Sequence, residues 1–136
     1  MKKSLVLGAA AAAAVLACFA LPGQSEDAGP AKTSLGKLRH VVLLKFKDGT
    51  AEADVRKIED GFRQLPKKIP EIVDFEWGTN NSPEKLDQGF THCFLVTFAD
   101  AKGRDVYIPH PAHKEFVQVL LPHLDKVLVV DYVAKE

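Results

Sequence analysis

The chain has 136 residues, no formal net charge, 46% hydrophobic residues and two cysteines. That length suits one domain with one small core. Balanced charge without a Lys/Arg run argues against a nucleic-acid partner. The sequence also lacks a glycine-rich phosphate loop and the CxxC and HExxH patterns.

Lys2 and Lys3 precede an alanine-rich apolar run from Ser4 to Ala20. This is the pattern of a secretory signal, so the protein is expected to be exported to the periplasm or the exterior. The run is short for a membrane span, which needs about 20 apolar residues. Cleavage after Ala20 is the favoured reading. The alternative is a loose lipoprotein box, Val15-Leu16-Ala17-Cys18, in which Cys18 is lipidated and the membrane becomes a partner. The expected organisation is a signal at 1–20, a polar flexible leader at 21–36 and one domain at 37–136. Cys93 is then the only cysteine of the domain, and its apolar setting, "HCFLVTF", predicts a buried thiol.

Leu38 to Lys47 reads as a strand whose core face carries His40, Val42, Leu44 and Phe46. Thr50 is placed to cap a helix with Val55, Ile58, Phe62 and Leu65 on one stripe, ended by Pro66. A second strand spans Glu71 to Gly78, with Val73, Phe75 and Trp77 on one face. After a polar loop, a third runs from Gly89 to Phe98, with His92, Phe94, Val96 and Phe98 sharing a face. A short helix covers Asp100 to Tyr107. Pro109 and Pro111 break it, and a further helix starts near Pro111 and runs to about Leu121. Lys126 to Val133 is the last strand.

The order β-α-β-β-α-β, with the last helix split, predicts a ferredoxin-like α+β protomer. Strands one and three are expected side by side at the centre and parallel, with the helices over one face. The other face, bearing Val41, Leu43, Leu95, Leu128 and Val130, is too apolar for water, so a homodimer is expected to cover it.

Parallel central strands would bring His40 and His92 to the same end of the sheet. On a helix from Pro111, His113 shares a face with Phe116, Val117 and Leu120 and points inward. His110 reads as a cap and His123 as a surface residue. One inward histidine is ordinarily a satisfied core residue. Three, with Tyr107 just ahead of the helix break, point to a polar pocket. Its apolar walls would be Val42, Leu44, Phe62 and Phe94. Metal is the lesser reading, since a zinc site usually brings tighter spacing or a carboxylate ligand. Neither a metal nor a cofactor is assigned.

The segments "RHVVLLKFKDGT", "GFTHCFLVTFAD", "YIPHPAHKEF" and "VLVVDY" resemble the stress-responsive dimeric α/β-barrel family, Dabb. The resemblance covers Leu38 to Tyr132 and implies a ferredoxin-like protomer that pairs into a dimeric barrel. Similarity to a plant polyketide cyclase of the family implies catalytic roles for Tyr107 and His113. His113 would be the base, and Tyr107 would orient it or donate to a developing enolate. His40 and His92 would bind substrate oxygens. The pattern departs where that cyclase has a pocket tyrosine and a bulky apolar residue, since Phe62 and Glu59 stand there. The expected function is an exported Dabb protein that binds a small, partly apolar ligand, with a stress-related or unassigned role. The alternative is a cofactor-independent enzyme of cyclase or lyase type.

Overall fold

The computed structural model describes residues 35–135. The expected signal, Cys18 and nearly all of the leader lie outside the described residues. Among those described, no helix is long and apolar enough to cross a membrane.

Strand β1 (Leu38–Phe46) sends Leu38, His40, Val42 and Leu44 inward, as its alternation predicts. Gly49 turns the chain with φ +80°, a left-handed angle that favours glycine. Helix α1 (Glu52–Lys68) follows. Its cap residue is Ala51, which makes no side-chain cap bond. Thr50 instead closes the preceding turn by donating its hydroxyl to the Lys47 carbonyl at 2.7 Å. Glu52 and Asp54 still suit the positive end of the helix dipole. Ile58, Phe62 and Leu65 form its buried stripe.

Pro66 does not end this helix. It lies in the last turn, where its missing N–H deletes only one intrahelical bond. The end comes at Ile69, extended at φ −127° and ψ 97°. Ile69 precedes Pro70, whose ring disfavours helical backbone in the residue before it.

Strand β2 (Ile72–Thr79) contains a bulge. Ile72 pairs with Phe98 and Asp74 with Thr97, so Val73 is the extra residue between them. The core positions are therefore Ile72, Phe75 and Trp77, while Val73 is exposed rather than inward. Strand β3 (His92–Phe98) buries His92, Phe94, Val96 and Phe98 as expected. Helix α2 (Ala101–Tyr107) is capped by Asp100, whose carboxylate accepts from the Gly103 N–H at 3.1 Å. Helix α3 (Pro111–Leu120), one turn of 3₁₀ helix (Leu121–His123) and strand β4 (Leu124–Val133) complete the chain.

The sheet order is β2-β3-β1-β4, and every neighbouring pair is antiparallel. This ferredoxin-like α+β topology is the expected one, but β1 and β3 are not parallel. The crossover through α1 returns the chain to run β2 in the direction of β1. The β2–β3 connection then reverses it, so β3 opposes β1. His92 consequently stands opposite Leu44, and His40 stands opposite Val96.

The helices cover one face around the aromatic cluster of Phe62, Phe94 and Phe116. On the other face Val41 lies opposite both Leu95 and Val130, and Leu43 lies opposite Cys93 and Leu128. Among the described residues no element covers that face, and Leu128 and Val130 are 40% and 48% exposed. Cys93 is exposed there too, not buried as predicted. Its neighbours are apolar, but its strand position points away from the helices.

Candidate functional site

The site grows from the break between α2 and α3. In a continuous helix the Ile108 carbonyl would accept from the N–H four residues on, that of Ala112. Here that N–H donates to His110 Nδ1 at 3.1 Å, making His110 the cap of α3. Pro109 and Pro111 have no N–H to offer. The Ile108 carbonyl is thus free to accept from His113 Nδ1 at 2.9 Å. A carbonyl can only accept, so the proton of neutral His113 sits on Nδ1 and Nε2 carries the lone pair.

Tyr107, the last residue of α2, is 1% exposed, and its ring centroid lies 4.3 Å from that of His113. His40 approaches Tyr107 from β1, with ring centroids 5.7 Å apart. Asp131 of β4, directly across the ladder from His40, accepts from His40 Nδ1 at 2.6 Å. The other Asp131 oxygen accepts from Arg104 of α2 at 3.1 Å. This chain of bonds ties α2 to the sheet and fixes the His40 ring.

His40, Tyr107, Ile108 and His113 line a cavity of about 230 Å³. Its remaining walls are apolar, from Val42 and Phe62 inside to Val127 and Val129 at the β4 edge. Val127 and Val129, on the edge strand β4, are half exposed.

Burial pushes the His113 imidazole below its ordinary value of 6.5. The bond to the Ile108 carbonyl opposes this, and the charges of His40 and His110 add to it. His113 is therefore a neutral base at neutral pH. Burial alone pushes the Tyr107 phenol well above its ordinary range, so its hydroxyl stays a donor.

Of the residues expected in one pocket, His40, Val42, Phe62, Tyr107 and His113 come together. His92, Leu44 and Phe94 do not line this cavity. Because β1 and β3 are antiparallel, His92 sits four residues along the ladder from His40, about 13 Å away at strand spacing. Both His92 nitrogens are engaged: Nε2 with Glu59 at 3.0 Å and Nδ1 with the Thr91 hydroxyl at 2.8 Å. Leu44 and Phe94 are fully buried core residues. His123 lies 4.0 Å from Asp54 and is partly exposed. No group of three His, Cys, Asp or Glu side chains that could hold a metal ion is found among the described residues.

Sequence reasoning missed Asp131, Arg104, Ile108 and the β4 valines. Asp131 left one signal, a lone acid in the apolar run "VLVVDYV".

A ferredoxin-like protomer with one apolar sheet face uncovered and a His/Tyr cavity under its helices is the unit of a dimeric barrel architecture. The chain belongs to the Stress responsive A/B Barrel Domain family, Dabb, which matches residues 38–134. It is 42% identical over 97 residues to the stress-response A/B barrel domain-containing protein HS1 of Arabidopsis thaliana, covering 71% of this chain and 89% of that one. It is 32% identical over 99 residues to olivetolic acid cyclase of Cannabis sativa, covering 73% and 98%. Among solved structures, hydroxynitrile lyase from Passiflora edulis superposes with a TM-score of 0.70 at 26% identity, covering 74% of this chain and 94% of that one. A dimeric ferredoxin-like protein of unknown function from Jannaschia sp. CCS1 gives 0.65 at 27% identity, covering 73% and 100%.

Proposed function

We propose that this protein is an exported homodimer that binds a small, partly apolar carbonyl compound in the cavity formed by His40, Tyr107 and His113. The observation that carries this reading is the Tyr107–His113 pair, 4.3 Å apart by ring centroids, set in a wall that is otherwise almost wholly apolar. An apolar pocket with few convergent polar groups is the usual form of a small-molecule site. The cavity of about 230 Å³ exceeds the ~150 Å³ void that admits a benzene ring, so a substituted ring fits. A neutral phenol donates to a carbonyl oxygen, which is why the ligand is read as a carbonyl compound. Export, read from the N-terminal signal, would expose the pocket to free small molecules rather than carrier-bound thioesters.

Cyclohexanone and methylcyclohexane, compared by ligand-observed NMR, test this reading. Tyr107→Phe is expected to weaken the ketone about fivefold, the worth of one hydrogen bond, and to leave the hydrocarbon nearly unaffected. Equal losses for both, or none for the ketone, would remove the carbonyl assignment.

The homodimer rests on the uncovered apolar face and on the dimeric Jannaschia relative. Sedimentation at micromolar concentration is expected to show two copies, and Val130→Asp to shift them to monomers, because pairing would bury an unpartnered charge. A wild-type monomer under those conditions contradicts the assembly.

A second reading has its own support. The His113 tautomer leaves a free Nε2 lone pair in the wall of a mostly apolar cavity, with the Tyr107 ring packed against the imidazole. Such a pair can remove a proton from carbon next to a carbonyl and hold the resulting enolate without a cofactor. Relatives named as a cyclase and a lyase favour this enzymatic reading.

A further inference from the structure

Two imidazoles, not one, pack against the Tyr107 ring, with centroids 4.3 and 5.7 Å from it. His113 comes from α3 and His40 from β1, and both line the same cavity. Each has its Nδ1 tied to an acceptor, the Ile108 carbonyl for His113 and the Asp131 carboxylate for His40. Among the described residues, Nε2 of each is the ring nitrogen left for a ligand. The partners differ in charge. The Ile108 acceptor is a main-chain carbonyl, whereas the Asp131 acceptor is a carboxylate held at 2.6 Å. Arg104 shares Asp131 and keeps it in place. The other groups facing His40 are Tyr107 and His113, neither of them an anion.

From this arrangement we infer that the pocket carries a two-base proton shuttle, with His113 as the acceptor and His40 as the donor, suited to moving a double bond in a small unsaturated ketone. The inference rests on the enzymatic reading above and names its reaction class. His113 Nε2 takes a proton from the carbon between the carbonyl and the double bond. The electron pair of that C–H bond moves onto the conjugated system, forming a dienolate whose oxygen accepts from Tyr107. Protonated His40, paired with Asp131, then gives its Nε2 proton to the far γ carbon. The dienolate electrons form the new C–H bond, and the double bond becomes conjugated with the carbonyl. One C–H bond breaks and one forms, and no oxidant or reductant is needed. His113 ends protonated and His40 neutral, and exchange with water resets both. A single base would have to carry one proton across both carbons. Here the two rings stand on different elements, β1 and α3, and both meet the phenol ring.

The probe is the non-conjugated cyclohexenone whose double bond lies between the β and γ carbons, a ring small enough for the cavity. Two quantities are read: deuterium uptake at the α carbon, and formation of the conjugated ketone by ultraviolet absorbance. The wild-type protein is expected to do both. In His40→Gln the ratio of conjugated product to α exchange is expected to fall about tenfold or more, since only the return step is lost. In Tyr107→Phe both fall together and the ratio holds. Because the ratio is internal to each sample, partial unfolding does not change it. A wild-type control needs no variant. With the α carbon deuterated and the solvent ordinary water, two bases leave no label at the γ carbon of the product. Label carried to that carbon, or an unchanged ratio in His40→Gln, overturns the shuttle. Wild-type α exchange without isomerisation overturns the shuttle but leaves His113 as a base. Absence of both activities in the wild-type protein removes the enzymatic reading together with it.

Discussion

His113→Ala is expected to slow protein-catalysed deuterium exchange at the α carbons of cyclohexanone by about 10²–10⁴-fold, the range for losing a positioned general base. The reason is geometric before it is electrostatic. The Ile108 carbonyl holds the Nδ1 proton at 2.9 Å, so the basic nitrogen of the ring is Nε2. Burial then holds the imidazole below its ordinary 6.5, so at neutral pH nearly every molecule has the base ready. The pH profile follows from that sign. Exchange should be level above 6.5, persist somewhat below it, and fall as pH drops through the lowered His113 pKa. The same shift costs stability in acid. Between the ordinary value and the depressed one the unfolded chain binds the proton and the folded one resists it, so folding weakens as pH falls through that window. NMR exchange rates across pH in wild type and variant check both the size and the direction. A variant that exchanges as fast as wild type would leave the base elsewhere.

Phe62→Ala is expected to cost about 3–5 kcal/mol of folding stability, the range for truncating a buried phenylalanine. Phe62 is 2% exposed. It stacks on Phe94 at 4.2 Å and meets Phe116 at 4.8 Å and Phe75 at 5.6 Å, each a centroid separation. One side chain thus joins α1, α3, the edge strand β2 and the inner strand β3, so its removal leaves a void that no single neighbour can fill. Because Phe62 also walls the cavity, the variant should bind larger ring ketones relative to small ones wherever it still folds. Urea unfolding gives the first quantity and competition between ketones the second. A loss well under the expected range would mean that the aromatic cluster collapses onto the gap.

What could be read from the sequence followed from periodicity. Alternation in β1 and β3 assigned the inward set correctly, and the three-four spacing after Pro111 aimed His113 at Phe116 and Leu120. The two prolines located the helix break, and His110 caps α3 as expected. Direction was not readable, because alternation looks the same from either end of a strand. That is why His92 was grouped with His40, when the antiparallel ladder separates them and pairs His92 with Glu59. The bulge at Val73 was invisible for a related reason: one extra residue shifts the pattern without leaving a composition signal. Cys93 shows the opposite failure. Its apolar neighbours suggested burial, but its odd position in β3 puts it on the uncovered face. Asp131 stood out in its strand, but its role depends on a cross-strand register that no local pattern supplies.

The acceptor that orients His113 belongs to the main chain. Every amino acid at position 108 would present the same carbonyl, provided Pro109 and Pro111 keep the turn. The identity of the basic nitrogen is therefore insulated from side-chain drift. The walls at Val42, Val127 and Val129 have no such protection, and each exchange there reshapes what fits. Such a chain can change its choice of ligand while inheriting its chemistry intact, because the two are encoded by different parts of the polypeptide.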